Sequence, residues 1–593
     1  MEGKPSRSRL LPGLAAAAFV AMIHGVLVLA QDPAMVFERF ADGDGYLRLV
    51  RVLNLAETGN WLDGVERRAN APFGFESHWT RPLDVLLLLL AMPLEPFLGP
   101  ARAIHWAGLA VSPLVHVSTA LALAWAAVPL LGRAGAALAA AIGVTQMGTM
   151  ALMGWGVADH HALYLLTVVL VLGALTRSFG PAERGGAVAA GFAIAFGLWV
   201  GVEFLAVLGL ALAVCGLAWV AGEPRGVERA RALSLAFLAG IGMALLAERG
   251  PAGLAVLETD RISALHLVLA GLLVLAWEVL ARWRPDGPVR RLGAGLGTGG
   301  AVLAALLVLS PRLVPGTVGD IPALAEGVLV QIIEHQPVGG FGGFLVYLGS
   351  GLLALPMLGR RLWLVRGTEG FWPWMFVAAG TLLFGAMTVE WLRWASYAGL
   401  FFCLPLADLV GFLDRRIDTW RSPGLRTAAR PLIVLGLLAA PPVAGAILQE
   451  ANGEKDVPSQ QLGCGFGDLA RVLGTRPRIV LTDVNIGAEI LYRTPHAVLA
   501  TLHHRNHRGI ADSVLIMRAE DDGEARRRMA ERGVDSILIC SDYGGNHFAR
   551  PGDGDRSGLL YRRLLENRPP DWLQEGERPS GTASGYRLFE VRP

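Results

Sequence analysis

The first 449 residues are built from apolar blocks that short charged patches interrupt. An α-helix needs roughly 20 apolar residues to cross the hydrocarbon of a bilayer, and many of these blocks reach that length. Residues 450–593 instead have the charge density that is typical of a soluble domain. Two such regimes in one chain indicate two solvents, so we predict a membrane domain over 1–449 and a soluble domain over 450–593.

The apolar blocks predict a polytopic α-helical membrane protein with about thirteen spans. The stretch 82–99 contains internal prolines and two acidic residues, which favour a helix lying in the interface over a span. The predicted spans are 10–30, 103–131, 134–153, 162–176, 186–202, 204–220, 232–248, 263–281, 293–310, 342–358, 371–388, 394–413 and 431–448.

Arginine-rich loops alternate with loops that carry few positive charges. With the N-terminus in the cytoplasm, thirteen crossings put the arginine-rich loops, such as those containing Arg133 and Arg415, on the cytoplasmic side. This arrangement satisfies the positive-inside rule. It predicts a multi-pass protein of a bacterial inner membrane with residues 450–593 in the periplasm. The net charge of +2 gives no reason to expect a nucleic-acid partner.

The C-terminal domain is predicted to be α/β. Residues 478–482 and 534–540 are short runs rich in β-branched side chains, and 521–533 is a charged, helix-prone stretch between them. Cys464 and Cys540 both fall in this domain, where a disulfide can form outside the cytoplasm. The sequence leaves open whether they pair.

Two of the predicted outer loops carry groups that suit a metal ion. Asp44 follows Asp42 in an Asp-Gly-Asp-Gly run, which can present oxygen ligands to a cation or can be a solvated acidic turn. Asp159 and His161 lie in a very short loop between two spans, and a carboxylate with an imidazole suits a divalent transition metal ion. Ionisable groups at a membrane surface are functional candidates because placing them there is costly.

Two further outer loops contribute Glu334 and Arg393. Arg393 can bind a phosphate because its guanidinium is a permanent charge with a planar fork of donors, or it can be an interfacial anchor or pair locally with Glu390. Together the four loops would form a carboxylate–imidazole metal site beside an arginine. Such a site suits the transfer of a group from a lipid-linked phosphate.

The order of these motifs resembles the single-subunit oligosaccharyltransferases, bacterial PglB and archaeal AglB, which have the GT-C fold. The likeness extends over nearly the whole chain. It implies that a divalent ion, Mn²⁺ or Mg²⁺, is bound by Asp44, Asp159, His161 and Glu334. It further implies that Asp44 and Glu334 orient the acceptor and that Arg393 stabilises the leaving phosphate.

The chain departs from the family at the Trp-Trp-Asp-Tyr-Gly box, which grips the hydroxyl of the Asn-x-Ser/Thr acceptor. Here the box reads Asp-Val-Asn-Ile-Gly over 483–487, so both tryptophans are lost and the central Asp is Asn485. A pocket that hydrogen-bonds a hydroxyl should not survive these changes. We therefore do not expect glycosylation of ordinary sequons. Gln331 also replaces the Thr of the family's loop motif.

The run 503–508 is rich in histidine and arginine. It is interpreted as a solvated loop, with contact to a donor's glycan or phosphate, or metal binding, as alternatives.

These features favour a metal-dependent glycosyltransferase. Its expected partners are a polyprenyl-(di)phosphate-linked glycan donor, membrane lipid, and a protein, glycan or lipid acceptor. A transporter or flippase is the alternative, but transport should leave charges near the bilayer midplane, and the predicted spans contain few. A scaffold that kept the fold and lost catalysis is the third possibility.

Overall fold

The computed structural model describes residues 11–180, 184–313, 321–452, 464, 469–540, 548, 557–579 and 585–592. Helices dominate the chain up to Ala451, and a five-stranded sheet organises the C-terminal part.

The helices of the first part vary in length from 4 to 45 residues. They are α1 Leu11–Leu29, α2 Pro33–Glu38, α3 Gly43–Thr58, α4 Arg81–Ala91, α5 Glu95–Leu98, α6 Pro100–Val144, α7 Met147–Leu152, α8 His161–Ser178, α9 Arg184–Val200, α10 Leu205–Val220, α11 Gly226–Arg249, α12 Ala264–Trp283, α13 Gly287–Leu309, α14 Ala323–Leu329, α15 Gly340–Leu364, α16 Phe371–Glu390, α17 Ala395–Ile417 and α18 Pro423–Ala451. Two short strands, β1 Val65–Glu66 and β2 Phe75–Glu76, pair antiparallel in the loop between α3 and α4.

Among the described residues, 11 helices are long and apolar enough to span a membrane. The longest, α6, is two helices that meet at Gly132, where a φ of 68° breaks the helical path and favours glycine. A shorter apolar helix covers Gly185–Val200. When α6 is counted as two helices and the shorter apolar helix is included, each of the thirteen predicted spans contains a helix. The predicted fold class is confirmed.

Two local details refine the prediction. The stretch 82–99 forms the short helices α4 and α5, which are not long enough to cross a bilayer, as expected from its prolines. The predicted span 134–153 is interrupted, because α6 ends at Val144 and α7 begins at Met147.

The C-terminal α/β domain has a mixed sheet of strand order β4-β3-β5-β7-β6. Strands β3, β4 and β5 are parallel, and β6 and β7 are antiparallel to their neighbours. The two predicted strands and the predicted helix are confirmed. The elements are α19 Leu469–Leu473, β3 Ile479–Leu481, α20 Val484–Arg493, β4 Ala497–Val498, α21 His507–Met517, α22 Asp522–Arg532, β5 Ser536–Cys540, α23 Leu560–Leu565, β6 Leu573–Glu575 and β7 Tyr586–Val591.

The C-terminal domain packs on two segments of the helical part. Helix α20 lies against α3, and helix α14 lies against α21. Ala325 and Val328 of α14 share one hydrophobic core with Ile510 and Val514 of α21. The segment that leads to Glu334 is therefore held by the C-terminal domain.

Arginine side chains also join the domain to the loop between α3 and α4. Arg68 donates to the carbonyl oxygens of Leu491 and Thr494 at 2.7 and 2.8 Å. Arg532 of the C-terminal domain donates to the side-chain oxygen of Asn70 in the loop at 3.0 Å. Its Nε contacts Asp512 at 2.8 Å. Arg532 and Asn70 are both buried, so water cannot replace the bond between them, whereas the Asp512 carboxylate is partly exposed.

We expect Arg532→Met to lower the free energy of unfolding by about 2 kcal/mol, since it leaves buried acceptors without donors. Arg527→Met is the matched control on the same helix, because Arg527 is exposed and bonded only to Glu531; its effect should stay within about 0.5 kcal/mol. Thermal unfolding of both variants in detergent compares the two. Equal shifts would mean that Arg532 does not hold the interface.

Cys464 and Cys540 form a disulfide, which answers the question that the sequence leaves open. Cys215 and Cys403 are free and buried in helices. Denatured, unreduced protein should therefore take up an alkylating reagent at two of its four cysteines, and at all four after reduction. Mass spectrometry measures the added mass. In the control Cys464→Ser, Cys540 should become reactive without reduction; four reactive thiols in the unreduced wild type would contradict the bridge.

Candidate active site between two cavities

Helix α3 carries the first acidic group of the site. Asp42 caps the helix, and its side chain accepts from the amide of Gly45 at 2.9 Å, the arrangement that favours Asp at a helix start. Asp44 follows in the first turn and lines a cavity. The Asp-Gly-Asp-Gly run is thus a helix start rather than a solvated turn.

A buried carboxylate anchors α3. Asp84 of α4 accepts hydrogen bonds from Arg51 Nε at 2.8 Å, Arg81 Nη1 at 3.0 Å and Arg48 Nη1 at 3.2 Å. Burial alone would raise the pKa of Asp84, but the three guanidinium groups lower it below the ordinary value, so the group stays ionised. Because Arg48 lies one turn after Asp44, this cluster fixes the orientation of the Asp44 carboxylate.

The loop before α8 supplies a carboxylate–imidazole pair. His161 Nδ1 lies 2.5 Å from Asp159 Oδ2, and its Nε2 lies 3.3 Å from Arg393. The ionised Asp159 carboxylate only accepts, so His161 carries a proton on Nδ1 and donates it to Asp159. Its Nε2 also faces Glu334, whose Oε2 is 3.8 Å away.

Arg393 lies in the short 3₁₀ helix Leu392–Trp394 between α16 and α17. It forms a close ion pair with Glu203 and contacts Glu334 Oε1 at 3.4 Å and His335 Nε2 at 3.3 Å. The alternative of a local pair with Glu390 is wrong. The sequence reasoning missed Glu203, although a carboxylate in the very short loop between the fifth and sixth predicted spans was the signal that could have found it.

The site contains more carboxylate side chains than cationic side chains. Burial and the charges of Asp42, Asp159 and Glu334 raise the pKa of Asp44 well above its ordinary value. Burial would also raise the pKa of Glu334, but Arg393 and then His161 lower it. A divalent cation would relieve the repulsion that raises the pKa of Asp44.

The donor set fits such a cation. Asp44, Asp159 and Glu334 offer carboxylate oxygens on one cavity wall, and His161 adds a nitrogen beside them. Ligand atoms of Asp159, His160 and His161 lie within 4.8 Å of one another. Mixed oxygen and nitrogen donors suit Mn²⁺ in particular, and the oxygens alone suit Mg²⁺.

Two cavities meet at this site. The first, of about 440 Å³, extends towards Tyr347 and Asn485. The second, of about 560 Å³, lies on the side of Glu203 and His335. Five residues line both cavities: Asp44, Ile332, Glu334, Arg393 and Leu502. The predicted catalytic side chains Asp44, Glu334 and Arg393 therefore line both cavities.

The altered box also reaches the first cavity. Asp483 caps α20 by accepting from the amide of Asn485 at 3.0 Å, and the side-chain amide of Asn485 donates to the same oxygen at 3.2 Å. At Gly487 any Cβ would lie 2.1 Å from the carbonyl oxygen of Ala500, so only glycine permits this helix to approach the sheet.

The prediction of a solvated loop at 503–508 is wrong. His503 is buried and its Nε2 lies 3.0 Å from His78 Nδ1. Arg505 pairs with Asp260 and Glu258, at 2.6 and 2.8 Å. These partners are hundreds of residues away in sequence, so no local pattern could have indicated them.

Comparison with solved structures identifies the fold. The archaeal oligosaccharyltransferase AglB from Archaeoglobus fulgidus, in complex with an inhibitory peptide and a dolichol-phosphate, superposes with a TM-score of 0.68 at 12% identity over 96% of this chain and 80% of that chain. The structure of that enzyme tethered to an acceptor peptide with the NVT sequon gives 0.65 at 14% identity, over 89% and 69%. Its complex with Zn and sulfate gives 0.61 at 14% identity, over 89% and 68%.

The chain therefore has an oligosaccharyltransferase-like fold, which confirms the resemblance at the level of architecture. No known family profile and no curated protein sequence matches it.

The pairing of Arg393 with Glu203 can be tested by a double-mutant cycle on thermal stability. Arg393→Met leaves Glu203 without its cation, and we expect the double variant with Glu203→Gln to recover about 1 to 3 kcal/mol of the sum of the single losses. The exposed pair of Arg527 and Glu531 is the control, and its cycle should show a coupling below about 0.5 kcal/mol. Additive losses at Arg393 and Glu203 would mean that the two do not interact.

Proposed function

We propose that this protein is a metal-dependent glycosyltransferase that moves a sugar or an oligosaccharide from a polyprenyl (di)phosphate to an acceptor. The observation that carries this proposal is the meeting of two cavities at Asp44, Glu334 and Arg393. A transferase must bring two substrates to one reacting centre from different directions, and two chambers with a shared wall of charged side chains provide that.

The two cavities differ in the groups beside the residues that they share. Arg393 lines both, but the imidazoles of His160 and His335 line the second cavity, where with Arg393 they suit the phosphate of a donor. The first cavity combines the acidic wall with apolar residues of α7, such as Ala151 and Leu152, and suits an uncharged acceptor group. We assign the donor to the second cavity and the acceptor to the first.

In the proposed reaction the acceptor's nucleophilic atom forms a bond to the anomeric carbon, and the bond from that carbon to the phosphate oxygen breaks. The electron pair leaves with the polyprenyl (di)phosphate, whose charge Arg393 stabilises. The acceptor's proton passes to the carboxylate of Asp44 or Glu334, which also orient the nucleophile. Glu203 keeps the Arg393 guanidinium in place.

Asp44, Asp159, His161 and Glu334 would hold the divalent ion, Mn²⁺ or Mg²⁺. Such an ion supplies neutralisation of phosphate charge and a fixed position for the acceptor. The neighbouring fold supports the ligand classes, since AglB has been solved with a dolichol-phosphate, with peptides, and with Zn and sulfate.

The acceptor is a protein side chain, another glycan or a lipid. Asn485 replaces the carboxylate of the family's box, and its amide is bonded to Asp483. Recognition of a sequon hydroxyl is therefore not part of the proposal. We further propose that 1–449 is the membrane domain, that 450–593 is a periplasmic domain, and that the N-terminus lies in the cytoplasm of a bacterium with the chain in its inner membrane.

The proposal is tested with Asp44→Asn and Glu334→Gln in the native organism, with glycolipids and glycoconjugates measured by mass spectrometry. Removal of a proton acceptor should cost roughly 100-fold or more in transfer. We expect a lipid-linked sugar to accumulate while one glycoconjugate is lost, which also names the acceptor.

Glu390→Gln is the control, because Glu390 is an exposed carboxylate near Arg393 that does not bind it; its glycan profile should match the wild type. If Asp44→Asn and Glu334→Gln express normally and leave every glycan unchanged, the enzyme proposal is wrong. A transporter or a scaffold would then explain the cavities.

A further inference from the structure

Three imidazoles from distant parts of the chain face one another on the wall of the second cavity. His78 comes from the loop between α3 and α4, and His503 and His504 come from the C-terminal domain. Each offers a ring nitrogen, and these atoms lie within 4.8 Å of one another. The ring centroids of His78 and His504 are 4.3 Å apart. The proposed transfer chemistry uses none of the three.

His504 has the orientation of a metal ligand. Its Nε2 lies 2.8 Å from Asp260 Oδ2, and Arg505 holds the other oxygen of that carboxylate at 2.6 Å. Because the carboxylate accepts at Nε2, that nitrogen carries a proton, and Nδ1 is the ring atom left for a metal ion. A carboxylate behind an imidazole fixes the tautomer and the orientation of most histidines that bind metals.

His503 is held by aromatic neighbours. Its ring centroid lies 4.6 Å from that of Phe75 and 5.2 Å from that of Trp79, so the ring has little freedom. Its Nε2 points to His78 Nδ1 at 3.0 Å, and its Nδ1 accepts from the amide of Arg505 at 3.2 Å. Its Nε2 also lies 3.3 Å from Ser77 Oγ. An ion at Nε2 would replace the proton between the two rings, and the ring proton would move to Nδ1. The contacts with His78, Ser77 and the Arg505 amide would then be given up.

We propose that His78, His503 and His504 form a second metal site, separate from the carboxylate-rich site of Asp44, and that it takes a divalent transition metal such as Zn²⁺ or Co²⁺. Three nitrogen donors favour such ions over Mg²⁺, which prefers oxygen. Three protein ligands on a cavity wall leave the fourth position of a tetrahedral ion open to the cavity. The ion ties the loop between α3 and α4 to the C-terminal domain and adds positive charge to the second cavity.

The site is tested by titrating Co²⁺ into the full-length protein, purified in detergent without a histidine tag, stripped with a chelator and kept in excess Mg²⁺. Visible absorption reports Co²⁺ in nitrogen coordination, and equilibrium dialysis counts the bound ions. His504→Ala should bind one Co²⁺ fewer per chain than the wild type. His507→Ala is the matched control, since the His507 ring bonds to the carbonyl oxygen of His504, and it should bind as the wild type does.

Asp260→Asn gives an independent result, because it keeps all three imidazoles. It should weaken binding of the same ion by about 10- to 100-fold. Equal counts and spectra in the wild type and His504→Ala would overturn the proposal. If His504→Ala fails to fold, an unchanged affinity in Asp260→Asn would overturn it instead. None of these measurements depends on glycosyl transfer, so they stand apart from the test of the proposed function.

Discussion

The buried carboxylate of Asp84 is the contact on which the geometry of the candidate site depends. It joins Arg48 and Arg51 of α3 to Arg81 of α4, and without it these buried guanidinium groups would lose the carboxylate that all three share. The guanidinium carbon of Arg48 also lies 4.2 Å from the ring centroid of Trp79, and the Trp79 ring lies beside that of His503. The Asp84 cluster is therefore in contact with the aromatic side chains that hold His503. One ionised group thus orients the helix that presents Asp44 and shapes the second cavity.

The sequence predicts most of the fold because the bilayer imposes a length on each apolar block. That constraint is local, and it locates segments such as α8 and α10 within a few residues. It does not locate the break at Gly132, since a glycine in an apolar run has no distinctive pattern. It also cannot show how the C-terminal domain docks, because the bond from Arg532 to Asn70 joins residues 462 positions apart.

The motifs of the candidate site could be found because each places an unusual charge in a short loop between apolar spans. The structure brings Asp44, Glu334 and Arg393 to one boundary, as their order along the chain suggested. Glu203 was overlooked because a single carboxylate forms no motif. His503 was assigned to solvent because composition alone makes a polar run look exposed, whereas its partners come from a remote loop.

The two cavities impose different requirements on specificity. Under the proposed function, the imidazoles that line the second cavity can help to select the donor's phosphate. The first cavity shares Arg393 with the second, its Asn485 side chain bonds to Asp483, and the neighbouring wall of α7 is apolar. In the proposed reaction, discrimination in the first cavity would come from shape and from acceptor hydrogen bonds to Asp44 and Glu334, the same groups that are proposed to take the acceptor's proton. An acceptor that binds well is then also one that is positioned to react, which couples specificity to the chemical step rather than to a separate recognition pocket.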